Sequence, residues 1–216
     1  MNDARFDIDN EPSQVQAGAI VGEPSPMSTD AILLERLLAG GVAAFESLFR
    51  RHYQGVYQVL YRLVGDEADD LAQDVFLQLY HRPPRASGTD LGAWLYRVAT
   101  NLGYNALRSR RRREHYRNTL GAITSGLGWQ RARTNPEEEL EQKEEQSQIH
   151  GALARLKRRQ AAVLVLRYSG LSYREMAAIL RVSPGSVGTL LARAELAFRR
   201  AYEQASDQDR RQGGER

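Results

Sequence analysis

Apolar residues recur at i, i+3 and i+4 through most of the chain after residue 27, and nowhere do they alternate with polar ones for long enough to make a strand. The pattern predicts an all-α fold. Ser28, Thr29 and Asp30 are candidate caps for a first helix with Leu33, Leu34, Leu37 and Leu38 on its apolar side, stopped by Gly40-Gly41. A longer helix carries Phe45, Leu48/Phe49, Tyr53, Val56/Tyr57, Leu60 and Leu63/Val64 inward, and Gly65 ends it. From Asp66 a third helix opens with carboxylates that suit the positive end of a helix dipole. Its inward positions are Leu71, Val75 and Leu79, with Phe76 at the edge, which leaves Asp69, Asp70, Gln73 and Asp74 as an acidic outer patch. Pro83-Pro84 and Gly88 break the pattern. The next helix turns Leu91, Trp94/Leu95, Val98, Leu102 and Ala106 inward, beside a stripe of Arg97, Asn101, Asn105, Arg108 and Arg112 that runs into the block Arg110 to Arg113. Arginines and amides in phase over several turns form a surface suited to phosphates and bases.

Residues 118–134 are aperiodic and read as a flexible linker. Asn135-Pro136-Glu137-Glu138 then restarts a helix with cap and N1 proline together, and apolar positions continue through Ile149, Leu153, Leu156, Val163/Leu164, Leu166 and Tyr168 to Gly170. Between Leu171 and Tyr202 the spacing is that of a helix-turn-helix. Ser172 and Glu175 form a capping box ahead of Met176, Ala177 and Leu180, and Ser183-Pro184 starts a second helix. That helix buries Val187, Leu190/Leu191, Ala194 and Ala197/Phe198 and turns Ser186, Thr189, Arg193 and Arg200 the other way. Such a pair presents a helix to the DNA major groove; an αα-corner with a merely solvated outer face is the plainer alternative. The chain thus divides into a disordered tail at 1–27, a helical domain at 28–117, the linker at 118–134, a helix-turn-helix domain at 135–203 and a polar tail at 204–216.

Composition narrows the chemistry. The 216 residues include no cysteine, which excludes disulfides, thiolate catalysis and cysteine zinc sites. His52, His81, His115 and His150 lack metal-ligand spacing and suit surface or packing roles. The acidic run at Asp66 to Asp70 lacks the spacing of a calcium loop, and no nucleophile-base pair or phosphate-cradling glycine loop appears. No catalytic residue, metal or cofactor is expected. No apolar stretch of about 18 residues and no signal peptide is present, so a cytoplasmic protein without membrane insertion is expected. The net charge of +3 is segregated: arginines crowd between Arg97 and Arg117, carboxylates at Asp66 to Asp74 and Glu137 to Glu145. A nucleic acid for the first segment and a basic protein for an acidic one fit this better than one uniform surface.

Four segments in this order, LLAGGVAAFESLFRRHY, DEADDLAQDVFLQLY, GAWLYRVATNLGYNALRSRRRR and RQAAVLVLRYSGLSYREMAAILRVSPGSV, resemble the extracytoplasmic-function group of the sigma-70 family of bacterial RNA polymerase sigma factors. The resemblance covers almost all of Asp30 to Tyr202. It implies that Asp69, Asp70, Gln73, Asp74 and Phe76 dock on the clamp helices of the polymerase largest subunit, with the second domain near the flap. It implies that the loop His81 to Thr89, with Arg85, and the face Arg97, Asn101, Asn105, Arg108, Arg111 and Arg112 bind and help open the minus-ten element of promoter DNA. It places Arg174, Arg181, Ser183, Ser186, Val187, Thr189 and Arg193 at the minus-thirty-five element, and it implies an anti-sigma factor as a further partner. Promoter elements about two turns apart lie on the order of 70 Å from each other, a separation that the linker has to help span. Gly188, Thr189 and Leu190 stand where many relatives carry lysine and arginine, and Asn105 and Lys157 stand where aspartate and proline are common. The competing reading is a stand-alone helix-turn-helix regulator that binds operators as a dimer, which needs a dimer interface or ligand domain.

Overall fold

The computed structural model describes residues 26–84, 90–121 and 136–213, and among these every regular element is helical. The tail at 1–25, the loop 85–89 with Arg85, and the segment 122–135 lie outside them. In chain order the helices are α1 (Pro26–Leu38), α2 (Val42–Val64), a 3-10 turn (Gly65–Glu67), α3 (Ala68–His81), α4 (Leu91–Gly121), α5 (Pro136–Arg155), α6 (Arg158–Tyr168), α7 (Tyr173–Leu180) and α8 (Pro184–Gly213). Several bounds differ from the sequence reading. α1 begins before Ser28, so Asp30 is not a cap. Its carboxylate is buried and bonds Arg51 and His52, the latter at 2.7 Å, tying α1 to α2. α4 runs to Gly121, because nothing from Asn118 to Leu120 breaks a helix, and α8 extends to Gly213 into the expected tail. Between Arg155 and Arg158 the reading as one continuous helix fails. Lys157 turns extended, and its N–H donates to the Gln160 side chain at 3.2 Å as α6 starts.

Helix ends follow from local chemistry. Gly40 and Gly170 take positive φ, and the bonds Gly41 N–H to Arg36 C=O (2.9 Å) and Leu171 N–H to Leu166 C=O (3.2 Å) close Schellman caps on α1 and α6. The same bond closes α7, from Val182 N–H to Ala177 C=O at 3.0 Å, but there the left-handed residue is Arg181. On α7 the expected capping box is present: Ser172 N–H donates to Glu175 at 2.7 Å, and Glu175 N–H to Ser172 Oγ at 3.3 Å.

α2, α3 and α4 pack around Leu48, Val56, Leu60, Leu63, Val75, Leu79 and Leu95. Along α2 the rings of Phe45, Phe49, Tyr53, Tyr57 and Tyr61 follow one another at i, i+4, and Phe49 meets Phe76 edge-on at 4.7 Å. Phe76 is therefore core and not edge, only 1% exposed. α4 is also rotated from the expected phase. Leu91, Leu95, Ala99, Tyr104 and Leu107 are buried, while Trp94, Val98, Leu102 and Ala106 are half-buried. The reason lies in the C-terminal helices: α5, α6 and α7 cover a second side of α4, and the buried residues of both halves form one continuous core.

Gly103 lets α4 approach α2, since a Cβ there would lie 2.9 Å from Leu63 Cδ1. Gly188 is different, with Tyr173 Cε2 at an ordinary 3.8 Å. Gly103→Ala is expected to lose about 1–3 kcal/mol by overpacking, whereas Gly188→Ala should gain up to about 1 kcal/mol from helix propensity. Urea unfolding of the two variants beside the parent checks both signs.

Candidate functional site

On α3 the acidic residues Asp69, Asp70, Gln73 and Asp74 are all exposed. Asp69 is engaged locally, accepting from the Tyr53 hydroxyl and, at 3.2 Å, from Gln73. The Tyr53 hydroxyl is correspondingly pushed up to about 12, first by that hydrogen bond to Asp69 and then by burial. Phe76, assigned to this surface from sequence, points into the core and offers no side chain to a partner. Leu77 does instead: it is 52% exposed, four residues after Gln73 and three after Asp74, on the acidic face. Sequence reasoning passed over it, although the same i+3/i+4 spacing finds it.

The basic face of α4 has two fates. Asn105, Arg108, Arg111 and Arg112 are exposed, and Asn101 is half-buried. Arg97, half-buried, reaches across to the C-terminal helices, where Nε donates to the Ile179 carbonyl at 3.0 Å and Nη2 to the Ala178 carbonyl at 3.1 Å. These are last-turn carbonyls of α7, which lack partners within their helix and sit at the negative end of its dipole. Arg97 is thus a C-terminal cap supplied from another helix. Burial and the nearby Arg181 lower its pKa. Further along α4, the buried Tyr104 hydroxyl donates to the Leu156 carbonyl at 2.5 Å. Asn105, Arg108, Arg111 and Arg112 then form one wall of a cavity whose other wall is Arg155, Lys157 and Arg158.

In the helix-turn-helix, Arg174, Arg181, Ser183, Ser186, Thr189 and Arg193 are exposed. Ser183 starts α8, accepting the Ser186 N–H at its carbonyl (2.9 Å) and pairing hydroxyls with Ser186 at 2.7 Å. Val187, placed at DNA by the resemblance, is 0% exposed, buried as its spacing predicts, and cannot face a groove. Among the described residues no cluster of histidine or carboxylate side chains could hold a metal ion, and no helix is long and apolar enough to cross a membrane.

His150 on α5 is buried at the junction with α2, beside Gly65, where an added Cβ would sit 3.2 Å from its ring. Burial, and secondarily Arg110, hold its pKa below 6.5, against a backbone hydrogen bond at Arg62 and the charge of Asp66.

Models of two family regions match the chain, sigma-70 region 2 over residues 48–113 and sigma-70 region 4 over residues 146–197. RNA polymerase sigma factor YlaC of Bacillus subtilis is 30% identical over 171 residues, spanning 77% of this chain and 96% of that protein. The ECF RNA polymerase sigma-E factor of Escherichia coli is 30% identical over 180 residues, 81% of this chain and 94% of that one. RNA polymerase sigma-H factor of Pseudomonas aeruginosa is 29% identical over 81% of this chain and 94% of its own length. Among solved structures, CnrH in complex with the cytosolic domain of CnrY covers 82% of this chain and 98% of that one at 22% identity, with a TM-score of 0.52, a likeness of fold.

The lowered His150 pKa has a defined sign. A form with the junction apart takes up the proton near pH 6.5, the closed form only below it, so the stability from neutral His150 is present above pH 6.5 and lost as pH falls. Melting temperatures between pH 7.5 and 5.5 should fall more steeply for the parent than for His150→Gln, and parallel curves would contradict this.

Proposed function

Because the chain belongs to the extracytoplasmic-function group of the sigma-70 family of RNA polymerase sigma factors, we propose residue roles for a protein that binds core polymerase and directs it to promoters. Its function is that of a sigma factor and not of a stand-alone operator-binding regulator. Residues 28–117 form the domain for core and minus-ten binding, and 135–203 the domain for minus-thirty-five binding. The observation that carries the reading is the pairing of an exposed acidic face on α3 with a cationic face on α4 whose Arg97 the C-terminal helices occupy.

Asp70 and Asp74, with Asp69 and Gln73, steer the clamp helices of the largest subunit, and Leu77 supplies the apolar contact that Phe76 cannot. Asn101, Asn105, Arg108, Arg111 and Arg112, with Arg97 once released, hold the minus-ten strand. Amides hydrogen-bond unstacked bases while arginines hold phosphates. Arg174, Arg181, Ser183, Ser186, Thr189 and Arg193 meet the minus-thirty-five groove, with α8 positioned by Val187 from below.

In the closed arrangement the α3 face is open while Arg97 is occupied. Core binding by α3 therefore precedes separation of the halves. Promoter elements lie on the order of 70 Å apart. The segment 122–135 between α4 and α5 spans at most about 50 Å, shorter than the linker expected from sequence, so the dimensions of the two domains supply the rest. An anti-sigma factor, the kind of partner the family resemblance implies, finds a seat in the cleft of about 910 Å³ lined by Tyr57, Tyr61, Tyr168, Phe198 and Tyr202. The protein catalyses no reaction of its own and works in the cytoplasm, at the nucleoid when active.

Run-off transcription with core polymerase on fragments of the source genome tests the roles. Discrete new start sites should appear with the parent. Asp70→Lys with Asp74→Lys should reduce core binding and initiation by about tenfold or more, and Leu77→Asp should weaken core binding without changing the start sites. Tight duplex binding with no redirection of polymerase would overturn the reading.

A further inference from the structure

A cavity of about 640 Å³ lies where α4 meets the turn between α5 and α6. Six cations line it, Arg108, Arg111 and Arg112 on one side and Arg155, Lys157 and Arg158 on the other, with no carboxylate among the described lining residues. Like charges gathered this way repel, and Arg111 registers the repulsion: burial, then Arg155 and Arg108, lower its pKa. Yet the walls are held together by the Tyr104 bond to the Leu156 carbonyl and the Arg97 bonds to α7. An anion between them relieves the repulsion.

The shape of the site limits which anion. A duplex, whose major groove alone is about 12 Å wide, is too large to enter such a cavity. Tyr104, the aromatic residue on the wall, is 5% exposed with its hydroxyl committed to Leu156, so a nucleobase finds no stacking face there. Donors are plentiful. Each guanidinium carries five N–H groups, and on Arg112 one of these goes to Ser109 Oγ (3.1 Å). The positive end of the α6 dipole, at Arg158, adds to the field. Guanidinium forks suit phosphate oxygens, and several cations on opposed walls suit several phosphates in a row.

We propose that this cavity binds a short phosphate chain, free or as the tail of a nucleotide, and that its occupancy holds the two halves of the chain closed. The site exists only while α4 and the α5–α6 turn are in contact, so the ligand opposes the separation that promoter engagement requires. Lys157 and Arg158 belong to the site but to none of the promoter-contact sets above, which separates anion binding from DNA binding.

The experiment is calorimetric titration of the full chain, without polymerase or DNA, with sodium tripolyphosphate, ATP and orthophosphate at physiological ionic strength. Tripolyphosphate and ATP should bind with similar affinity, and orthophosphate about tenfold or more weaker. Lys157→Ala with Arg158→Ala, both at exposed positions, should weaken tripolyphosphate by about tenfold or more, while Arg36→Ala with Arg50→Ala, at exposed cations on α1 and α2, should not. Small-angle scattering should give an equal or smaller radius of gyration with tripolyphosphate bound. Unaltered binding by the first double variant, a larger radius on binding, or ATP bound far more tightly than tripolyphosphate would overturn the proposal. Melting no lower than the parent's in both double variants separates loss of the site from loss of the fold.

Discussion

One guanidinium clasps the closed arrangement beside the apolar core that both halves share. The last turn of α7 has carbonyls that its own helix cannot satisfy, and Arg97 of α4 satisfies two of them, at Ala178 and Ile179. A cation at the negative end of a dipole is favoured twice, by the hydrogen bonds and by the field. The desolvation that lowers the Arg97 pKa opposes this, and removing Arg97 leaves the part-buried Ile179 carbonyl and the exposed Ala178 carbonyl without these donors. Beside this bond the helix-turn-helix lies over α4, Tyr104 reaches Leu156, and the remaining arginines of α4 face those of the α5–α6 turn.

The base that holds Arg97 in place is stiff for ordinary reasons. α2 and α4 come close because Gly103 and Gly55 omit a side chain where Leu63 and Tyr96 fill the space, and the aromatic series on α2 locks α3 through Phe76. With α3 fixed, its outer residues project together, so an exposed acidic face and a basic face whose Arg97 is engaged are two consequences of the same packing. The acidic face of α3 is open while Arg97 of α4 is engaged.

Much of this was legible in the residues, and what was not has a physical cause. Period 3.6 patterns, Gly40-Gly41, Gly65 and the Ser172/Glu175 box mark elements through local interactions, which a linear sequence carries. Phe76 was read at the edge because one helix seen alone cannot say how wide its buried face is, and α2 turned it in; Val187 is buried as its spacing predicts, and only the resemblance had set it at DNA. The phase of α4 was missed in the same way, since the covering of its second side by α5, α6 and α7 is a long-range contact with no local signature. Arg181 in the left-handed region stood where glycine is the usual signal, so nothing in its identity announced the end of α7. Arg97 was read as a DNA contact from its phase with Asn101 and Asn105, and that phase does not reveal a carbonyl more than 80 positions away.

The central claim is that the isolated chain is closed through Arg97 and must open to work. The absence of cysteine allows a spin-label pair at Glu46→Cys and Glu203→Cys, exposed positions on α2 and α8. Pulsed dipolar spectroscopy should give one short, narrow distance for the free chain, lengthening in the complex with core polymerase and promoter as the domains move toward elements on the order of 70 Å apart. A distance that stays the same in the initiating complex, or is already long and broad in the free chain, would contradict the account.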